Sequence, residues 1–212
     1  LCPSFVTYDF DIFPKTVPGA VTGGADICEG DNTPLLELNG ETGDVLRWER
    51  SDNFGPFNSI GNAGATNFFE NLTVDGRYEY RAVVQSGNQC NVEYSGTTVV
   101  NVFDIPPVPT SGVDADLCGV LTHTLVGSDP APFTGMWSVV TNPSGNAPVF
   151  VSATSANTDV TILAGDEGTY VFRWTVTNGP CSNSSDVQVI FREAPTGSVA
   201  GLNDSACGTS YT

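Results

Sequence analysis

Basic residues are scarce in this sequence, and their scarcity excludes several kinds of partner. Lysine and arginine total 7 against 24 aspartate and glutamate residues, a formal net charge of −17 over 212 residues. A surface this acidic repels nucleic-acid phosphates and anionic lipid headgroups. No apolar run approaches the roughly 20 residues that a membrane-spanning helix needs. We therefore expect a protein that binds no nucleic acid and is not embedded in a membrane.

Residue types that carry catalysis are also few. His123 is the only histidine, and it lies in an alternating segment where an ordinary structural role is expected. One histidine leaves neither a Ser/His/Asp triad nor a Cys/His pair, and no phosphate loop, zinc spacing or EF-hand loop occurs. Paired carboxylates could hydrolyse glycosides, but small domains in series offer no deep cleft. We expect no enzymatic activity, no catalytic or metal-binding residues and no cofactor.

What the sequence does contain favours strands and turns. Glycine (23) and proline (14) are frequent, and no stretch shows sustained helical spacing. Six cysteines without metal-type spacing indicate an oxidising compartment, so an extracellular location is expected. The chain begins with neither an initiator methionine nor a signal peptide, as expected of a piece of a longer protein.

The cysteines reveal an internal repeat of about ninety residues. They form two classes by their surroundings, with intervals of 90 and 89 residues in the first and 88 and 91 in the second. Trp48 and Trp137 are likewise 89 residues apart. A long period with several matched landmarks indicates tandem domains. The first class is Cys28, Cys118 and Cys207, and the second is Cys2, Cys90 and Cys181.

Proline-led breaks divide the chain into two complete repeats and two terminal pieces. Residues 14–104 and 105–194 are predicted to be complete repeats. Residues 1–13 are predicted to be the last strand of a preceding repeat, and residues 195–212 the first strand of a following one.

Each complete repeat is predicted to be a β-sandwich. The long segment of the second repeat alternates apolar and polar residues with the period of a strand that has one buried face. About seven strands and an early tryptophan are typical of an immunoglobulin-like domain, with Trp48 and Trp137 in the core. Tyr78 and Tyr170, each two residues after a glycine, are predicted tyrosine corners. The predicted fold is all-β, with tandem immunoglobulin-like (PKD/fibronectin-like) sandwiches.

Two disulfide pairings are compatible with this arrangement. The ordinary one lies within each repeat and joins Cys28 to Cys90 and Cys118 to Cys181. In the assumed strand order, however, Cys28 and Cys90 lie at opposite ends of a sandwich, at least ~20 Å apart. A disulfide needs Cα atoms within about 7 Å of each other. The other pairing joins Cys28 to Cys181 of the next repeat and leaves Cys90 and Cys118 for further repeats. Both remain open.

Several of these segments resemble a known family. "ADICEGDNTPLLELNG", a tryptophan strand, "TYVFRWTVTNGPCSNSSDVQVIF" and a proline-led restart resemble the Ig-like and PKD-like repeats of giant Bacteroidetes surface adhesins. That family includes gliding-motility adhesins and other cargo of type IX secretion. The resemblance implies display on the bacterial cell surface, outer-membrane anchored or secreted, and a role in adhesion. The segment Asp204-Ser205-Ala206 resembles the O-glycosylation pattern of secreted proteins from these bacteria, which makes Ser205 a candidate glycan site.

Four aspartates near the ends of the predicted domains suggest calcium as a ligand. Calcium between domains would need about six oxygen ligands, and the candidates Asp26, Asp31, Asp114 and Asp116 have no spacing that specifies such a cage. They are expected to be solvated acids.

Phe54, Phe57, Phe68 and Phe69 lie in the middle of the first repeat and could form an aromatic binding face. Leu72 with Phe69 or Phe68 is instead expected to fill the core, which disfavours a clustered patch.

The expected function is therefore structural, as a stalk segment whose partners are neighbouring repeats, with an unknown glycan or protein bound through other domains. The alternatives are a carbohydrate- or protein-binding module, or non-catalytic accessory domains of a large secreted enzyme.

Overall fold

The computed structural model describes residues 11–195. Residues 1–10 and 196–212 lie outside the described residues, and with them most of the two terminal strands predicted from the sequence. The same holds for Cys2, Ser205 and Cys207.

Strands account for all the regular secondary structure of the described residues, which contain no helix. The all-β class predicted from the sequence is confirmed. In chain order the strands are β1 (Val17–Thr22), β2 (Asp26–Cys28), β3 (Leu36–Thr42), β4 (Asp44–Asp52), β5 (Asn58–Gly61), β6 (Asn67–Phe68), β7 (Gly76–Gln85), β8 (Glu93–Tyr94), β9 (Thr98–Phe103), β10 (Ala115–Cys118), β11 (Thr122–Val126), β12 (Thr134–Thr141), β13 (Val149–Phe150), β14 (Asn157–Thr161), β15 (Gly168–Asn178) and β16 (Cys181–Arg192).

The chain forms two compact units. Of the described residues, unit 1 contains 11–108 together with Ala131–Thr134 and Val176–Asn183. Unit 2 contains Pro109–Pro130, Gly135–Thr175 and residues 184–195. The turn between β15 and β16 therefore groups with unit 1, although it belongs to the second sequence repeat.

Unit 1 is a sandwich of two sheets. One has the order β1-β3-β6, and the other has the order β2-β9-β7-β4-β5, with β8 added to β7. Neighbouring strands are antiparallel except β2 and β9, which run parallel. The β2–β9 register places Cys28 opposite Phe103.

The core of unit 1 draws on both sheets because each strand buries alternate residues. On β7, Tyr78, Tyr80 and Ala82 point inward against Trp48, which is fully buried. Each large side chain of this kind contributes roughly 1.5–3 kcal/mol by leaving water. Leu72 is buried and Phe68 packs on the core, whereas Phe69 is exposed. The core consists of Val21, Leu36, Leu38, Val45, Trp48, Leu72, Tyr78, Tyr80, Ala82, Val84, Val100 and Val102.

Unit 2 repeats the same plan with fewer strands. Its sheets have the orders β10-β16-β15-β12 and β11-β14-β13, and β10 runs parallel to β16. The two sheets face each other, since the rings of Phe150 on β13 and Phe172 on β15 lie 5.8 Å apart in an edge-to-face contact. Trp137 is buried at the position that corresponds to Trp48.

Candidate functional site

A disulfide joins Cys28, the last residue of β2, to Cys181, the first residue of β16. Their Cα atoms are 5.6 Å apart, within the normal range for a disulfide. Cys90 and Cys118 are free thiols, so neither bond of the within-repeat pairing is present in the structure. A disulfide in an immunoglobulin-like fold is typical of extracellular domains.

The two cysteines meet because Cys28 ends β2, Cys181 begins β16, and both lie beside Phe103 at the end of β9. Parallel pairing places Cys28 opposite Phe103, and the Glu29 N–H donates a hydrogen bond to the Phe103 carbonyl at 2.9 Å. On the other side, the Phe103 ring covers Gly179 in the β15–β16 turn. We call the four residues Cys28, Phe103, Gly179 and Cys181 the cysteine clasp.

Glycine is required at position 179 for two reasons. Its φ of +57° is a left-handed conformation that residues with a Cβ rarely adopt. A Cβ there would also fall 2.7 Å from the Phe103 ring. The close approach of the ring to the turn therefore depends on the missing side chain.

Polar contacts fix the same segment against the turn. The Asn178 side-chain amide donates to the Asp104 carbonyl at 3.0 Å, and the Asn183 amide donates to the Pro106 carbonyl at 2.7 Å. The Cys181 sulfur lies 3.6 Å from the Phe103 carbonyl oxygen, a contact rather than a hydrogen bond because a disulfide sulfur carries no proton. The clasp can therefore hold the segment after β9 in one position relative to the turn.

Both predicted tyrosine corners have the expected hydrogen bonds. The Tyr78 hydroxyl donates to the Val74 carbonyl at 2.9 Å, and the Tyr170 hydroxyl donates to the Asp166 carbonyl at 2.8 Å. Burial is the main cause that raises the pKa of Tyr78 above its ordinary value. Each hydroxyl ties a strand start to the preceding loop, which is a structural role.

The acids considered for calcium are each engaged by a protein group. Asp26 accepts from the Asn101 side chain, Asp31 from the Cys28 N–H and Asp114 from the Gln188 N–H. Asp116 forms an ion pair with Arg192. Within residues 11–195, no three His, Cys, Asp or Glu side chains group closely enough to hold a metal ion.

His123 lies half-buried on β11 beside a hollow of about 340 Å³ in unit 2. The hollow is mainly apolar, with Val113, Leu125 and Val187 in its wall. Burial lowers the pKa of His123, although the nearby Asp159 carboxylate opposes that shift. The wall holds few polar groups that could orient a sugar or a substrate.

The exposed face of the larger unit 1 sheet carries a stacked arginine. The Arg81 guanidinium lies 3.9 Å from the Phe57 ring centroid and 4.1 Å from that of Tyr94. It also pairs with the buried Glu49 carboxylate at 2.7 Å. Phe54 covers Arg77 in a similar way, at 4.6 Å. Each of these rings therefore has an arginine on one face, while Phe54 remains 81% exposed and Tyr94 49% exposed.

Sequence reasoning identified the cysteines but missed the residues around them. The clasp needs Phe103 and Gly179 as much as the sulfurs, and neither was singled out. A partial signal existed, because a glycine shortly precedes both Cys90 and Cys181. The partners of Arg81 had no comparable signal, since Phe57 and Tyr94 are far apart in the chain.

None of the described residues belongs to a helix long and apolar enough to cross a bilayer.

Comparisons with solved structures find several β-sandwich proteins similar to this chain. The PKD domain from KIAA 1837 protein is 30% identical, over 43% of this chain and 92% of that domain, with a TM-score of 0.36. Fibronectin(III)-like modules of Clostridium thermocellum CbhA are 15% identical, over 93% of this chain and 100% of theirs, with a TM-score of 0.40. Three titin immunoglobulin domains are 14% identical, over 85% of this chain and 66% of theirs, with a TM-score of 0.42.

Sequence comparisons add one family. No match is found among the curated proteins. Residues 17–104 match the model of a family described as "Domain of unknown function (DUF8696)".

Proposed function

We propose that this chain is a stalk segment of a large bacterial cell-surface adhesin, which carries other, ligand-binding domains and spaces them from the cell. The observation that carries the proposal is the Cys28–Cys181 disulfide, because it links one sequence repeat to the next. A bond of this kind adds nothing to a binding pocket. It does resist separation of the segment after β9 from the β15–β16 turn when the protein is pulled.

The surfaces of the two units also favour a spacer over a binding module. Phe57 is stacked on Arg81 and Phe68 packs on the core, so neither ring is free to receive a sugar. The exposed rings among these candidates are Phe69 and Phe54, and Phe54 has one face on Arg77. We therefore assign ligand recognition, of a glycan or a protein, to other domains of the adhesin.

A domain exchange tests the spacer role directly. The two repeats, residues 14–194, are replaced in the adhesin by two unrelated sandwich domains of similar length, and attachment of the cells is measured. We expect attachment to be retained after the exchange and reduced when the repeats are deleted. Loss of attachment in the exchange variant, with normal surface display, would show instead that these repeats bind the ligand.

The resemblance to Bacteroidetes repeats supports a more specific proposal. We propose that the adhesin is exported by type IX secretion and supports adhesion, including adhesion during gliding. An antibody against residues 14–194 should label intact cells, and labelling should disappear in a strain that lacks type IX secretion. Persistent labelling in that strain would contradict this export route.

A further inference from the structure

Cys118 occupies the position in unit 2 that Cys28 occupies in unit 1. It ends β10, which runs parallel to β16 just as β2 runs parallel to β9, and it lies opposite Arg192. The Gly119 N–H donates to the Arg192 carbonyl at 2.8 Å, the same backbone hydrogen bond that follows Cys28. Cys118 is exposed and free. This strand end therefore presents a thiol in the backbone setting of the clasp.

Cys90 stands where the second clasp cysteine stands. Its turn contains Gly87, which has a φ of +62°, and the Phe13 ring occupies the space where a Cβ of Gly87 would lie. The Cys90 sulfur is 3.6 Å from the carbonyl oxygen of Pro14, the residue after Phe13, and the Cys181 sulfur is 3.6 Å from the carbonyl oxygen of Phe103 itself. A phenylalanine, a left-handed glycine and a cysteine thus recur together around a second incoming segment.

The space beside the Cys90 sulfur is open and its walls are well fixed. A hollow of about 380 Å³ adjoins the thiol. Thr16 braces it, since the Thr16 hydroxyl donates to the Asn91 carbonyl at 2.9 Å and accepts from the Ser86 N–H at 3.0 Å. The hollow is lined by Phe13, Lys15, Thr16, Gln89, Cys90, Asn91 and Glu93.

We propose that Cys90 and Cys118 are two half-sites for further clasps of the Cys28–Cys181 kind. The partner of Cys90 is the cysteine that ends the parallel edge strand of a preceding repeat. The partner of Cys118 is the cysteine in a following repeat that corresponds to Cys181, at the turn equivalent to β15–β16. The filled clasp in the same chain supports this assignment, because the same residue types surround an actual disulfide there.

The chemistry of bond formation balances with a disulfide oxidant. The two thiols lose two protons and two electrons and form one S–S bond, while a disulfide reagent such as oxidised glutathione is reduced to two thiols. This inference deepens the proposed function, since a stalk supplies the neighbouring repeats. It is tested on purified protein, so its failure would leave the attachment experiment unaffected.

A tandem protein provides the test. Arg192 of one copy of the chain is joined to Ile12 of a second copy, which places the first copy's Cys118 one repeat before the second copy's Cys90. The protein is refolded with reduced and oxidised glutathione, alkylated without reduction, digested and mapped. We expect a Cys118–Cys90 crosslink between the copies, together with the Cys28–Cys181 bond in each copy.

Two variants serve as controls. Cys118→Ser in the first copy should leave the second copy's Cys90 alkylated. Gly87→Val in the second copy places a side chain where the Phe13 ring lies, and should lower the crosslink yield at least tenfold while both Cys28–Cys181 bonds form normally.

Three results would overturn the proposal. The first is alkylation of both Cys118 and Cys90 at the junction in a protein whose Cys28–Cys181 bonds have formed. The second is a bond of either thiol to any other cysteine. The third is failure of the Cys28–Cys181 bonds themselves to form, which would remove the template on which the half-sites rest.

Discussion

Individual buried side chains carry much of the stability of each unit, and Trp137 is the clearest case in unit 2. Its ring centroid lies 5.2 Å from that of Trp174, and it is only 2% exposed. Its indole N–H donates to the Ala156 carbonyl at 3.1 Å, so the one polar atom of the side chain is satisfied in the core.

Replacing Trp137 by Ala should lower the free energy of unfolding by roughly 3–5 kcal/mol, because it removes a large buried ring and leaves a cavity. Urea denaturation followed by circular dichroism measures the change. The neighbouring Met136 is 55% exposed, so Met136→Ala should change the same quantity by less than about 0.5 kcal/mol. Equal effects of the two substitutions would contradict the assigned packing.

Tyr80 makes a second prediction at this scale, which concerns alkaline pH. Burial, followed by a 2.6 Å hydrogen bond to Glu70, raises the pKa of Tyr80 above its ordinary value of 10.0. The unfolded chain then loses this proton near pH 10 while the folded chain keeps it. The unfolded state binds fewer protons, so stability present below pH 10 should fall by about 1.4 kcal/mol per pH unit above it.

The test compares the wild type with Tyr80→Phe by urea denaturation between pH 9 and pH 11. The free energy of unfolding of the variant should fall less steeply with pH, by about 1.4 kcal/mol per pH unit, because its residue 80 has no proton to lose. Tyr78, whose pKa burial also raises, contributes the same in both proteins. Identical pH slopes would show that Tyr80 ionises equally in the folded and unfolded states.

At the scale of elements, Arg81 connects several strands of unit 1. From β7 it reaches Tyr94 on β8, Glu49 on β4 and Phe57 just before β5. Glu49 is only 5% exposed, so its charge needs this partner more than a surface carboxylate would. The planar guanidinium suits stacking between two rings, whereas an ammonium group does not.

Arg81→Lys should therefore destabilise unit 1 by about 1–2 kcal/mol although it keeps the charge. Arg173→Lys is the matched control, since Arg173 pairs with Asp186 at an exposed site and should change stability by less than about 1 kcal/mol. Both changes are measured by denaturation in urea. If the two substitutions have the same effect, the stacking of Arg81 between the rings contributes nothing measurable.

At the scale of the whole molecule, the disulfide changes which residues can be extended by force. Cys28 and Cys181 are separated by 153 positions in sequence, and the bond closes the chain between them into a covalent loop. A pull on the two chain ends then runs from Cys28 through the sulfurs to Cys181. The strands between them can unfold without lengthening the tether, which is a useful property for a stalk.

Single-molecule pulling from the two ends should therefore reveal a hidden length. An extended chain spans at most about 3.3–3.6 Å per residue, so complete unfolding of the oxidised protein should give a contour length shorter by roughly 500 Å than that of the reduced protein. Cys28→Ser without reductant should reproduce the reduced length. Equal lengths with and without reductant would show that the loop is not closed.

Much of the fold was predictable from the sequence because it depends on local patterns. The two-residue alternation of Tyr170, Phe172 and Trp174 identifies a strand with one buried face, and those three residues are fully buried. The turn and tyrosine corner that start this strand are also local, since the hydroxyl of Tyr170 reaches only four residues back. The ninety-residue period then predicted that the plan occurs twice.

The cysteine pairing required the tertiary structure. Spacing allowed Cys28 to bond with either Cys90 or Cys181, and both carry the same chemistry. A disulfide depends on a distance of a few ångströms between residues far apart in the chain, and here that distance follows from the parallel β2–β9 register and the fit of the Phe103 ring on Gly179. Both features depend on which segments meet after the sheets have formed, and the glycine shortly before each cysteine does not by itself reveal either of them.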